Sequence, residues 1–279
     1  MNSLLTQLIV WLNAAATRLA GILLAPVAWL PGWLSATIVA IVTGILMLVV
    51  FKYTSNQTAI KKTRNQIKAN LLGLSLFKDD MRVVLRCQWS LLLNAVRLLA
   101  LSAVPMFVML VPMCLLLGQL AVWYQARPVA VGEEAVVTVQ LADNVSPDDV
   151  ELVATPGAEM SVGPVRVPAK HLVCWKLEAR EAGSHELKFK SRDQLVTKQM
   201  AVGASFMPVS MKRPAWEAGE VLLHPAEQPF SPDSPVQSIE VGFPERSSWA
   251  SGTNTWVIYW FIVSMVAAFV ARPLLHVNI

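Results

Sequence analysis

The 279-residue chain is 54% hydrophobic and 15% charged, with a mean hydropathy of +0.49. That is too apolar for an ordinary water-soluble domain and implies several membrane spans. The net charge of +4 is small, gives no ground for sequence-specific nucleic-acid binding, and makes the placement of the basic residues more informative than their sum.

Residues 1–32 open with "MNSLLTQLIVWLNAAATRLAGILLAPVAWL", which has no basic region ahead of its apolar stretch and so does not read as a cleaved signal peptide. Ser3, Thr6, Asn13 and Thr17 recur near helical spacing, opposite Leu5, Leu8, Ile9, Leu12, Ala16 and Leu19. We read an amphipathic helix lying in the outer interface of a bilayer. The alternative is a fourth span, in which Arg18 would sit in hydrocarbon at a cost of about 2.5 kcal/mol or more.

Charge-free windows mark three spans, at 33–51, 98–124 and 247–272, the last uncharged as far as Ala271 and closed by Arg272. Pro105 and Pro112 interrupt the second, where neighbouring groups must re-satisfy the freed carbonyls. Trp249, Trp256, Tyr259 and Trp260 cluster early in the third, as an interfacial aromatic belt does.

Between the first two spans, residues 52–97 hold nine basic side chains against Asp79 and Asp80. The positive-inside rule puts this segment in the cytoplasm, the N-terminus outside and the 273–279 tail inside. Ile60, Ile67, Leu71 and Leu74 form a narrow apolar seam, and Met81, Val84 or Leu85, Gln88, Leu92, Val96 and Leu99 continue one beyond a break capped by Asp79 or Asp80. This predicts an antiparallel helical hairpin. Lys61, Lys62, Arg64 and Lys68 on its outer face are either a topology signal or a contact for anionic lipid or a ribosome.

The segment 127–246 is predicted to lie outside. "EAVVTVQL", "VELVAT", "LVCWKLEA", "SHELKFK" and "LVTKQMAV" have period-two character and are separated by "DNVSPDD", "PGAEM" and "EAGS". They suggest an immunoglobulin-like β-sandwich over 125–205, with Trp175 in its core. Seven prolines then mark 206–246 as an extended arm leading back to the membrane. Cys87, Cys114 and Cys174 fall in three different regions, so no disulfide is expected.

No catalytic pattern emerges: there is no phosphate-binding glycine loop, no nucleophile elbow and no zinc-type spacing. His171, His185 and His224 read as solvated strand positions, and the carboxylates of "SPDDVE" as turn residues. We therefore expect no enzyme, no cofactor and no metal. Met106, Met109 and Met113 form one stripe of the second span, suited either to helix packing or to varied apolar clients.

"FKYTSNQTAIKKTRNQIK" leaving the first span, "VPMFVMLVPMCLLLGQL" in the second and "SSWASGTNTWVIYWFIVSMVAAFVARPLL" in the third, taken in this order, resemble the YidC/Oxa superfamily of membrane-protein insertases. The likeness is greatest to the three-span branch that includes the insertase subunit of the endoplasmic reticulum membrane complex and its archaeal relatives. That branch has a short external loop where this chain inserts 127–246. The resemblance implies a multi-pass protein of a prokaryotic cell or inner membrane that acts on nascent membrane-protein clients through a polar groove open to the cytoplasm. Such a groove lowers the cost of desolvating a client's polar end. Thr43, Asn94, Arg97, Ser102, Ser264 and Arg272 are its candidate lining. The alternative from another class is a non-catalytic envelope scaffold whose external β-sandwich binds a protein partner.

Overall fold

The computed structural model describes residues 2–77, 80–155, 157–191, 194–246 and 255–275. Asp79 as a helix cap, Pro156 of the "PGAEM" turn, residues 247–254 with Trp249, and the tail beyond Leu275 lie outside the described residues. Six α-helices are described: α1 (Asn2–Leu24), α2 (Gly32–Thr54), α3 (Gln57–Leu76), α4 (Met81–Tyr124), α5 (Ala218–Leu223) and α6 (Thr255–Leu275). Of these α1, α2, α4 and α6 are long and apolar enough to cross a membrane. The chain divides into two compact units, one of residues 1–36 and 114–259, the other of 37–113 and 260–279.

The first unit holds eight strands: β1 (Glu134–Leu141), β2 (Val150–Val153), β3 (Ala158–Val167), β4 (Leu172–Ala179), β5 (Gly183–Ser191), β6 (Gln194–Val202), β7 (Lys212–Arg213) and β8 (Val236–Val241). They form a five-stranded antiparallel sheet in the order β3-β4-β1-β8-β7 and a three-stranded one in the order β2-β5-β6. In β1 and β4 every second residue is buried, so Val137, Val139, Trp175 and Leu177 join Leu187, Phe189 and Met200 of the smaller sheet in one apolar core. The Trp175 and Phe189 rings meet at 5.3 Å. β3 begins inside the stretch expected as a turn, because Gly157, at φ +87°, completes the reversal early. A side chain there would also collide with the His185 ring.

Residues 206–246 are no extended arm. Val236, Ile239 and Val241 are fully buried, and β8 pairs with β1 near the middle of the larger sheet. The prolines frame this strand rather than extend the segment: Pro235 precedes it and Pro244 follows. Polar pins hold the rest. Arg213 donates from Nη1 to Thr197 O (2.6 Å) and from Nε to Gln228 O (2.9 Å), and stacks over Phe230 at 4.2 Å. Phe206 packs against Trp123 and Tyr124 and lies beneath the Arg246 guanidinium. The Lys198 ammonium is fully buried and donates to Glu227 Oε1 (2.5 Å), Ser210 O (2.5 Å), Ser210 Oγ (3.0 Å) and Gln199 O (3.0 Å).

α1 belongs to the same unit and turns its polar stripe onto protein. Asn13 Nδ2 donates to Val221 O of α5, Thr17 Oγ1 donates to Pro225 O (3.2 Å), and Gln119 Nε2 donates to Thr17 Oγ1 (2.8 Å). Thr6 is buried too. The opposite face, with Leu4, Leu8, Trp11, Leu19, Ile22 and Leu23, is exposed.

Burial holds the Lys198 ammonium below the ordinary lysine pKa of 10.5, against the pull of the Glu227 carboxylate. A buried cation stripped of its partner is costly, so Glu227→Gln should lower the stability of the β unit by about 3–5 kcal/mol in denaturant unfolding at pH 7. The folded chain then releases the Lys198 proton at lower pH than the unfolded chain does. Over the interval between those two values the unfolded state binds more protons, so the variant should regain stability as pH rises toward about 10.5. A second substitution, Lys198→Met, should recover most of the loss at pH 7; no recovery would show that Glu227 acts through something other than the pair.

Candidate functional site

Among the described residues, those expected to line a groove all fall in the second unit, which is built on two helix pairs. In the first pair α2 meets α6 through small side chains. Ala40 is fully buried, and a methyl group on Gly44 would overlap the backbone carbonyl of Ser264. Such close backbone approach is how helices associate where water is absent. Leu48 and Ala271 extend the contact, with Phe51, Ala268 and Leu275 against them.

Thr43 and Ser264 are thus brought together, but in a sealed joint rather than an open indentation. Each is 8% exposed. The Thr43 hydroxyl donates to Ala40 O (3.1 Å) and accepts the Trp260 indole N–H (2.9 Å), while Ser264 Oγ donates to Phe261 O (3.0 Å). A groove needs both hydroxyls available, whereas here Thr43 is bonded by the Trp260 indole and Ser264 bonds its own helix backbone while buried at the joint. Trp260, buried at 6%, is the residue sequence reasoning assigned to a belt and missed as a partner. Its only signal was a polar-capable ring inside an apolar run.

The second pair is α3 and α4. Asn56 caps α3, its Oδ1 accepting from Ala59 N (3.0 Å), and Asp80 caps α4, its Oδ1 accepting from Arg82 N (3.0 Å) and Val83 N (3.3 Å). The two helices approach antiparallel, with Gly73 close to Cys87 Sγ and Asn70 Nδ2 donating to Ser90 Oγ (2.9 Å). Asn94 Nδ2 adds a bond to Ser90 O (2.8 Å). This contact face corrects the expected seam. Over 81–99 of α4 the half-buried residues are Val83, Val84, Cys87, Ser90, Leu91, Asn94, Ala95 and Leu98, so that of the expected seam only its alternative member Val84 faces inward, whereas Met81, Leu85, Gln88, Leu92, Val96 and Leu99 are exposed. Small and polar groups permit the close approach at Gly73, and the bulky apolar set is left facing away.

α4 runs unbroken through Pro105 and Pro112. Ser102 is half-buried and donates to Leu98 O (2.9 Å), Arg97 is exposed, and Arg272 of α6 is half-buried. Of the methionine stripe, Met106 is exposed while Met109 and Met113 are half-buried. Lys61, Lys62 and Lys68 are exposed on α3, and Arg64 is half-buried.

In the first unit, an apolar cleft of about 390 Å³ opens between β2 and β3, with Leu177 and Leu187 as its floor and Met160 and Val153 on its walls. At its rim Arg180 pairs with Glu159 at 2.8 Å and with Glu178 at 2.8 Å. Among the described residues no group of three or more His, Cys, Asp or Glu side chains is placed to hold a metal ion. His185 bonds Glu181 O at 2.8 Å, and burial keeps the His224 imidazole below its ordinary pKa.

Trp260→Phe should cost about 0.6–1 kcal/mol of stability, since a donor lost from a buried hydroxyl is only partly replaced. Thr43→Val combined with it should cost no more than the larger single change, a coupling read from thermal unfolding in detergent. Strict additivity would show that the Trp260–Thr43 bond contributes nothing. No protein-family model, no curated protein and no solved structure matches the chain.

Proposed function

We propose that the chain is a membrane-protein insertase or membrane chaperone of YidC/Oxa type, spanning a prokaryotic inner membrane three times through α2, α4 and α6. The observation that carries this reading is the unbroken 44-residue α4, which joins an apolar span to a basic helical hairpin. At 1.5 Å per residue it is about 66 Å long, against about 30 Å of hydrocarbon. An interfacial α1 is supported by its contact with the β unit. Asn13, at the middle of α1, bonds to α5, so a spanning α1 would carry Glu217 and Glu220 to the depth of the bilayer centre. The basic hairpin then faces the cytoplasm, where Lys61, Lys62, Arg64 and Lys68 meet a ribosome or anionic lipid, and the two-sheet domain, a sandwich in this reading, lies outside with the N-terminus.

With Thr43 and Ser264 buried in the α2–α6 joint and Asn94 on the side of α4 that packs on α3, the polar groups left for a client's hydrophilic end are Arg97 and Ser102 of α4, with Met106 for apolar segments. Photo-crosslinkers at 97, 102 and 106 should capture nascent membrane segments on stalled ribosomes, and one at Val257 of α6 should not. Equal capture at all four positions, or at none, would overturn the insertase reading. A scaffold role is favoured by two features taken separately, the sealed Thr43–Trp260 joint in the second unit and the open cleft in the β unit. In that case filling the cleft by Ala158→Trp should abolish function and leave crosslinking at 102 unchanged.

A further inference from the structure

The stripe that α4 turns away from α3 meets no partner among the described residues. Met81, Leu85, Trp89, Leu92 and Val96 lie along one face, Trp89 at 64% and Leu92 at 53% exposure. From Leu85 the spacing is four, three, four, the seam of a helix that packs against another helix. Each of Arg82, Arg86 and Arg97 directly follows a stripe residue, so all three stand along the same border of it. No acidic residue occurs in α3 or in 81–97.

Lipid does not cover this face if the uncharged stretch from Leu98 is the part in the bilayer, which is where the inference rests on the function proposed above. From Leu98 to Tyr124 that stretch is about 40 Å long and fills the hydrocarbon, and 81–97 projects about 25 Å beyond it. A second copy is disfavoured by charge, because two such stripes would set arginine borders against each other. We propose that the 81–97 face of α4 is a docking surface for an amphipathic helix of another protein, one that carries acidic residues beside its apolar stripe. The partner's leucine-like side chains would seat between Leu85, Trp89 and Leu92, and its carboxylates would pair with Arg82 and Arg86. This mode of recognition is a helix laid along an apolar stripe, with charge setting its orientation.

The test uses the full chain in lipid nanodiscs and two synthetic helical peptides of roughly 20 residues, both with leucines at heptad positions, one flanked by glutamates and one by lysines. Fluorescence anisotropy should show the glutamate peptide binding and the lysine peptide at least about tenfold weaker. Trp89→Gln or Leu92→Gln should weaken the glutamate peptide by about tenfold or more. Arg82→Gln with Arg86→Gln should remove most of its salt dependence. A photo-crosslinker at 89 should capture the peptide, while one at Phe107 should capture lipid. Equal binding of both peptides, or no loss in the Trp89 and Leu92 variants, would overturn the inference. Capture of lipid, or of a second copy, at 89 would equally overturn it. Failure to capture lipid at 107 would instead refute the span assigned to α4.

Discussion

Polar side chains without water must find protein partners, and the helical parts of this molecule are arranged around that requirement. Thr43 takes the Trp260 indole, Asn70 reaches Ser90, and Asn13 and Thr17 of α1 bond to the backbone at Val221 and Pro225. In each case the polar or small side of a helix is the side that packs. On α1 and on the 81–97 part of α4 the bulky apolar side is left outward, the reverse of a water-soluble bundle, whereas α3 buries Ile60 and turns Lys61, Lys62 and Lys68 outward.

The inversion explains where sequence reasoning succeeded. The long apolar helices α2, α4 and α6 were legible because a run without charges is a property of composition and does not depend on which face packs. Strands β1, β4, β5 and β6 were legible because one side of each is buried in an aqueous-type core, so alternation survives in the letters. β3 left almost no alternation to read, since nearly all of its residues are exposed. β8 was hidden by the proline count around it, although Val236, Ile239 and Val241 carried the signal.

The hairpin shows the limit of the soluble rule. An apolar heptad seam normally marks the buried side, and on α4 that rule selects Val84 or Leu85 with Leu92 and Val96, of which only Val84 is half-buried. The structure packs Cys87, Ser90 and Asn94 instead, because a glycine at position 73 lets the backbones come closer than leucines would allow. The candidate groove fails on the same ground. Thr43 and Ser264 were recognisable as polar groups inside apolar helices, but the letters do not say whether such a group lines a cavity or satisfies a neighbour. Gly44, one residue away, was the clue to a closed joint.

The β unit obeys the opposite rule, and the contrast locates its constraints. Its core is apolar and, apart from Ser191, Ser210 and Ser234, the buried polar group described in the strands and the 206–246 segment is Lys198, a cation with no exposure, held by four acceptors contributed by β6 and by the 206–230 segment. Removing such a pair in favour of well-packed apolar groups often costs little, so its value lies in specificity more than in strength. Satisfying the ammonium ties Ser210 and Glu227 to β6. That placement brings Val209 N to Val122 O at 2.8 Å and leaves Pro225 where Thr17 of α1 can bond to it. The buried lysine thereby fixes the surface on which α1 rests. A partner entering the cleft between β2 and β3 would meet a domain whose position on α1 is set by its own core rather than by a flexible arm.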